Sequence, residues 1–373
     1  MSFTKEEYKQ RLKKVQSMME KKGIELLISH DTNNMNYLTG YDAWSFYYAQ
    51  CAIVHVNSEE PLCFVRAQDA GGAYIKTYLK NENIIVYDEN YIHTWPRHPY
   101  DYLVEIIKEK KWDKLSIGLE MDAHYFTAFC YEKIKQGLPN AKIKDSERIV
   151  NWARLVKSDA DIEKIRAAGR IAAEALLRVQ EKLDAGVTTD ELDAVADRYI
   201  RSQGGRASAL GYRGFPKSIC VSVNNEIVHG IPGQRVLNDG DILAVDIAVK
   251  KDGFHGDMNA SMTVGTVSAE AHHLVETTRR CLELGLAHAT PEYRLGDIGH
   301  AIQSHAEDEG FSVVREYCGH GIGRDFHEEP QLLHYGIAGT GRRLQTGMVF
   351  TIEPMINQGT AETRLLDDDW TAV

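Results

Sequence analysis

Four side chains in the second half of the chain have the types and spacing for chemistry. Asp246 lies inside Ile242-Leu-Ala-Val-Asp-Ile-Ala-Val249, and Glu353 inside Met348-Val-Phe-Thr-Ile-Glu-Pro-Met-Ile356, segments otherwise almost wholly apolar. Taking an ionised carboxylate out of water is costly unless a cation or hydrogen-bond donors compensate. One such acid is ordinarily answered by a structural ion pair. Two at equivalent places are harder to explain that way, and each stands six residues after a glycine, Gly240 or Gly347. Asp257 follows Asp246 by eleven residues through Lys251-Asp252-Gly253, an Asp-Gly hairpin signal that puts both carboxylates on one face. Like charges that close repel and raise a pKa unless a metal neutralises them. His320, in Cys318-Gly-His-Gly-Ile-Gly323, has flanking glycines that permit close backbone approach. Two Asp, one His and one Glu suit divalent Mn, Fe, Co or Zn in a site with open positions.

The elements that must hold these residues read as a repeated unit. Ile162, Ile165, Ala168, Ala172, Leu176, Val179 and Leu183 form one stripe of a long helix, and Ser158 with Asp161 resembles its capping box. A second helix opens on Thr188-x-x-Glu191, which fits the capping pattern. Two helices and then strands span about 160–265 and recur over 268–357, with helices near 269–288 and 296–309. Gly240-Asp-Ile-Leu-Ala-Val-Asp246 and Gly347-Met-Val-Phe-Thr-Ile-Glu353 align as turn, apolar strand and carboxylate. Halves related in this way bring their acids to a shared centre.

A boundary near Lys157-Ser158 separates this region from residues 1–157, which alternate helix and strand patterns as an α/β domain. A helix is expected over 5–22 and strands over 24–29, 51–56 and 61–65. A polar loop follows the first strand at Asp31-Thr-Asn-Asn-Met-Asn, and a helix over 102–110 leads to a strand over 115–119. A length of 373 residues suits two domains, and 43% hydrophobic with 26% charged residues is ordinary for a globular protein. The net charge of −11 argues against a nucleic-acid or anionic-membrane surface. No apolar run is long enough to span a bilayer, and the start of the chain lacks a signal-peptide core. The six cysteines are scattered, without C-x-x-C spacing, and read as reduced thiols of a cytoplasmic protein.

Residues from about 161 to 373 resemble bacterial type I methionine aminopeptidases, the M24 peptidases of pita-bread fold with a pseudo-twofold ααββ plan. The strings that carry this are Gly214-Phe-Pro-Lys-Ser-Ile-Cys220, Val228-His-Gly-Ile-Pro232, Asp252-Gly-Phe-His-Gly-Asp257, Gly319-His-Gly-Ile-Gly323, Phe326-His-Glu-Glu-Pro330 and Phe350-Thr-Ile-Glu-Pro-Met355. The resemblance implies a dinuclear metalloaminopeptidase that takes peptides with an N-terminal methionine. Asp246, Asp257, His320 and Glu353 would hold two divalent ions (Co, Mn, Fe or Zn), with Glu353 as general base. His229 and His327 would contact the scissile amide and its developing oxyanion. Tyr212, Phe215, Cys220, Phe326 and Trp370 would line the methionine pocket, while Glu328 and Glu329 read as a charged rim. Arg213 stands where bacterial relatives often carry His. The family's fifth ligand, a Glu in a Q-[FY]-E-H string some two dozen residues beyond the match to Trp370, has no counterpart before Val373. The 158–373 domain is therefore expected to lack its final strands and activity to suffer, which keeps open an inactive truncated homologue. Residues 1–157 resemble the N-terminal domain of the creatinase, Xaa-Pro peptidase and ectoine hydrolase group through Asn34-Met-Asn-Tyr-Leu-Thr-Gly-Tyr41, Asp42-Ala-Trp-Ser-Phe46 and Arg97-His-Pro-x-Asp-Tyr102. That resemblance implies a homodimer through this domain. It also keeps open hydrolysis of an Xaa-Pro dipeptide or a small amide such as ectoine or creatine.

Overall fold

The computed structural model describes residues 3–42 and 45–373, so Ala43 and Trp44 of the second N-terminal string lie outside the described residues. The chain divides into two compact units, Met1–Arg154 and Leu155–Val373.

In the first unit the elements run α1 (Lys5–Lys21), β1 (Leu26–Ser29), α2 (Thr32–Thr39), β2 (Cys51–His55), β3 (Leu62–Arg66), α3 (Ala70–Lys76), β4 (Ile84–Tyr87), α4 (Pro99–Glu109), β5 (Ser116–Leu119), α5 (Ala128–Gly137), β6 (Lys142–Asp145) and α6 (Ile149–Leu155). One six-stranded sheet has the order β4-β3-β2-β1-β5-β6, antiparallel at β1/β2 and β2/β3 and parallel elsewhere. Its central strands are apolar on both faces, which explains their unbroken hydrophobic runs. Leu27, Val54 and Val65 pack with Tyr8, Leu12 and Val15 of α1. Leu26, Ile28, Ile53 and Phe64 pack with Leu103 and Ile107 of α4 and Ile134 of α5.

The polar loop expected at 31–36 is instead the start of α2. Asp31 caps it by accepting from the backbone N–H groups of Asn33 and Asn34 at 2.9 and 3.0 Å. Gly40 ends it at φ 80°, a left-handed turn that glycine enters freely. The asparagines disguised the helix because they are buried with partners rather than solvated. The Asn34 side chain donates to Glu120 and to Asn151, both at 2.8 Å, and Asn36 to the carbonyl of Tyr41 at 3.0 Å.

In the second unit both capping boxes form, Ser158/Asp161 opening α7 (Asp159–Lys182) and Thr188/Glu191 opening α8 (Thr189–Ser202). Then come β7 (Arg206–Ala207), β8 (Cys220–Val223), β9 (Ile242–Lys251) and β10 (Phe254–Thr263), with β7, β8 and β10 all paired antiparallel to β9. The second half repeats the helix pair as α9 (Ala269–Ala287) and α10 (Leu295–Asp308), followed by β11 (Ser312–Val313), β12 (Gly319–Gly321), β13 (Glu328–Leu332) and β14 (Ile356–Asn357). Each half has its own core, around Ala172, Val179, Ile200 and Val245 in the first and Cys281, Ile298, Ile302 and Leu332 in the second. The aligned glycines take the same left-handed turn, φ 94° at Gly240 and 92° at Gly347.

The strand expected after Gly347 is not a regular one. Residues 348–353 form isolated bridges, Val156↔Met348 and Gly321↔Phe350, with single backbone hydrogen bonds from Thr351 to the His320 carbonyl at 2.8 Å and from Ile322 to the Val349 carbonyl at 3.3 Å, rather than a continuous ladder. The ladder beside them is interrupted, because β12 carries a register shift at His320/Gly321 and Pro354 has no N–H to give.

Candidate metal centre

The hairpin β9–β10 reverses at Asp252 (φ 50°) and Gly253 (φ 82°). Its register sets Asp246 opposite Asn259 and Ala248 opposite Asp257, so the two acids lie diagonally on one face rather than directly across. Cys220 of β8 stands directly opposite Asp246. His320 enters from β12, where its backbone N–H donates to Thr351 Oγ1 at 2.9 Å. Its Nε2 lies 3.6 Å from Asp257 Oδ2 and 3.7 Å from Glu353 Oε1. Its Nδ1 lies 2.9 Å from the carbonyl oxygen of Gly321. A carbonyl only accepts, so Nδ1 carries a hydrogen and Nε2 faces the acids.

The electrostatics follow from crowding. Asp246 is held well above the usual carboxylate range by burial, by the charges of Asp257 and Glu353, and by a hydrogen bond to Asp257. Burial and the Asp257 charge push Glu353 up to about 7, against opposing contributions from the Thr351 hydroxyl and His320. Burial works to lower His320, but its hydrogen bond to Asp257 and the Glu353 charge outweigh that and raise it. Asp257 Oδ1 is buried with no hydrogen-bond partner among the described residues.

These features fit a divalent cation. Two donors each about 2.1 Å from one ion stand at most about 4.2 Å apart, so both separations from His320 Nε2 are compatible with a shared ion. The orphaned carboxylate oxygen and the mutual repulsion are what a cation would relieve. As the side chains stand the cluster is open, and no group of three or more His, Cys, Asp or Glu among the described residues closes into a cage.

Around the acids stand the other residues singled out from sequence. The Tyr212 hydroxyl lies 3.0 Å from His327 Nδ1, and the His327 ring is 4.2 Å from that of His320. Phe326 packs at 5.3 Å on Tyr212 and 4.4 Å on His327. A second group joins Phe215 to Trp370 at 5.1 Å and Trp370 to His229 at 6.2 Å. His229 sits at φ 60°, a sparsely populated conformation for a non-glycine residue and one that gathers at functional sites. Burial lowers the pKa of both His229 and His327, and for His327 the charges of His320 and His229 act in the same direction. Trp370 is brought in by the pairing of Ala372 with Val228, next to His229. Arg213 takes φ 47° and lays its guanidinium 5.5 Å over the Tyr212 ring.

Three residues escaped the sequence reading or were misread. His255 is buried and stacked on Phe326 at 5.5 Å, with Ser208 Oγ 2.8 Å from its Nδ1. Its signal was strand periodicity, since it lies two residues before Asp257 and therefore on the same face. His334 is fully buried, and its Nε2 accepts the Glu353 backbone N–H at 3.1 Å. Nothing in Leu332-Leu333-His334 announces this. Glu328 is not a solvated rim residue, because its side chain is 6% exposed and accepts from Lys157 Nζ at 2.7 Å.

Residues 163–370 match the model of metallopeptidase family M24, and residues 11–156 that of the creatinase/prolidase N-terminal domain. A methionine aminopeptidase A of Synechocystis sp. is 52% identical over 217 residues, 58% of this chain and 86% of that protein. The crystal structure of methionine aminopeptidase from Rickettsia prowazekii superposes with a TM-score of 0.57 at 44% identity, covering 58% of this chain and 88% of that one. A dipeptidase from Mycobacterium ulcerans gives a TM-score of 0.74 at 20% identity over 94% of this chain and 89% of its own, a likeness of fold.

Proposed function

Since the chain belongs to metallopeptidase family M24, and is thereby a hydrolase working with divalent metal ions, we propose that it removes the N-terminal methionine from peptides. Asp246, Asp257, His320 and Glu353 would hold two ions, of Co, Mn, Fe or Zn. The observation that carries this reading is the cluster of acids left facing one another, with Asp257 Oδ1 unanswered, beside an imidazole whose Nε2 points in. A methionine aminopeptidase is 52% identical over 217 residues of this chain.

When bound, divalent ions supply Lewis acidity and lower the pKa of a water to about 7. Glu353, pushed up to about 7, is matched to hold a proton near neutrality and pass it to the leaving amine. With the Tyr212 hydroxyl, 3.0 Å from His327 Nδ1, as the donor of that pair, His327 Nε2–H would be left to donate to the carbonyl oxygen as negative charge gathers there. His229 serves the same amide from the Trp370 side. Phe215, Trp370, Tyr212, Phe326 and Cys220 offer apolar and polarisable walls that suit an unbranched thioether.

Among the described residues no helix is long and apolar enough to cross a membrane, and a cytoplasmic location suits six free thiols. The N-terminal unit would serve in a homodimer, a reading supported by exposed Ile75 and by Trp95, 80% exposed and stacked on Phe129. Its match to the creatinase/prolidase N-terminal domain favours Xaa-Pro or ectoine-type amide hydrolysis as the second reading. The test is release of methionine from Met-Ala-Ser, against hydrolysis of an Xaa-Pro dipeptide and of ectoine, with Mn or Co added. Turnover of methionyl peptide is expected, and turnover of either alternative alone would overturn it.

A further inference from the structure

The His327 loop is held by a buried ion pair that reaches outside both family matches. Glu328 follows His327 directly. One of its oxygens accepts from Lys157 Nζ at 2.7 Å and the other from the Asp325 backbone N–H at 3.1 Å. The two side chains are 4% and 6% exposed. Lys157 is itself fixed, its backbone N–H donating to the Gly347 carbonyl at 2.8 Å next to the bridge between Val156 and Met348. Two glycines make room for this arrangement. A Cβ on Gly323 would come within 2.8 and 3.0 Å of the Glu328 oxygens and 3.0 Å of Lys157 Cε. One on Gly347 would meet Val156 Cγ1 at 3.0 Å and the Lys157 carbonyl at 3.1 Å. The last glycine of Gly319-His-Gly-Ile-Gly323 is thus required by the ion pair, not by the imidazole of His320. Lys157 stands one residue past the first family match and six before the second.

We infer that Lys157 is a positioning residue for catalysis: through Glu328 it fixes the segment that aims His327 at the substrate. This rests on the aminopeptidase reading above. A buried carboxylate that loses an ammonium 2.7 Å away is drawn toward water, and the peptide next to it carries His327 out of register with Tyr212. A displacement of about 1 Å at such a group costs about 10²-fold in rate.

The experiment uses the full chain loaded with Mn and assayed on Met-Ala-Ser, together with imidazole ¹⁵N spectra of the metal-free protein. Lys157→Met is expected to lower kcat about 10²-fold, and Lys157→Arg, which keeps the charge, to restore most of it. In a His327→Gln background Lys157→Met should cost no more than about twofold further, since both act through one imidazole. The double variant Lys157→Met/Glu328→Met removes the carboxylate along with the ammonium and should regain the lost Tm without regaining kcat. The His327 ¹⁵N pattern, with one protonated and one hydrogen-bonded nitrogen, should be lost in Lys157→Met. An undiminished Lys157→Met effect in the His327→Gln background, kcat that follows Tm in the double variant, or an unchanged His327 spectrum would each overturn the assignment. If the wild type hydrolyses no methionyl peptide the aminopeptidase reading fails, and the spectra still decide the position of His327.

Discussion

Glu120 and Asp246 are both carboxylates taken out of water on β-strands or at their ends, one in each unit, and they are answered in opposite ways. Glu120, 3% exposed, accepts from Ser29 Oγ at 2.7 Å, the N–H groups of His30 and Asp31 at 2.7 and 2.9 Å, and Asn34 Nδ2 at 2.8 Å. Burial raises its pKa while those donors pull it back. Asp246 has Asp257 and Glu353 as its charged neighbours, and both push in the same direction as burial. What separates a structural acid from a functional one is what surrounds it: donors already in place, or other acids awaiting a cation.

The strongest way to break this contrast is to remove one acid of each kind. Asp246→Asn should cut methionyl-peptide hydrolysis by roughly 10³-fold or more, because a proposed ligand to the ions is lost. The Tm of the metal-free protein should hold or rise as repulsion is relieved. Glu120→Ala should do the reverse, costing the N-terminal unit about 3 kcal/mol by leaving four donors unmet, measured by denaturant unfolding. A fall in metal-free Tm for Asp246→Asn larger than that for Glu120→Ala would remove the distinction.

Histidines sharpen it. His30, 4% exposed and stacked at 4.2 Å on Phe126, has neither ring nitrogen hydrogen-bonded among the described residues. Burial lowers its pKa from 6.5 to about 3. The unfolded chain therefore takes up a proton below pH 6.5 that the folded one refuses, and stability drains away as pH falls through that window. From pH 6.5 to 5 the loss is about 2 kcal/mol. His30→Phe should abolish this part of the acid sensitivity, read from unfolding curves at the two pH values. A pH effect of comparable size is expected at the candidate metal centre. Glu353 keeps its proton up to about pH 7, and an ion must displace it. Metal affinity should weaken about tenfold per pH unit per displaced proton below that point. Calorimetry in buffers of different ionisation enthalpy measures the proton released, and no release would contradict the raised pKa.

Much of the candidate site was legible in the sequence because carboxylates in apolar segments violate the expected pattern, and such violations gather at functional sites. Asp252-Gly253 announced the hairpin and Gly240 and Gly347 the repeat, since each of those turns demands a conformation few residues adopt. Helix α2 stayed hidden because buried, partnered asparagines look the same in sequence as solvated ones. Glu328 was misread for the same reason. Its partner Lys157 lies 171 residues away, and no local pattern carries so distant a pairing. His334 was invisible because its role, taking the Glu353 N–H, involves the backbone of its partner.

The hairpin β9–β10 delivers Asp246 and Asp257 from eleven residues of chain, whereas His320 and Glu353 arrive from the other half of the repeat. Half of the proposed ligand set thus comes from one local hairpin, and the other half depends on the packing of the two repeats. On the proposed assignment, a cation held by both sets would be a removable rivet across that seam. Chelation should release the 310–357 region to hydrogen exchange well before the hairpin loosens.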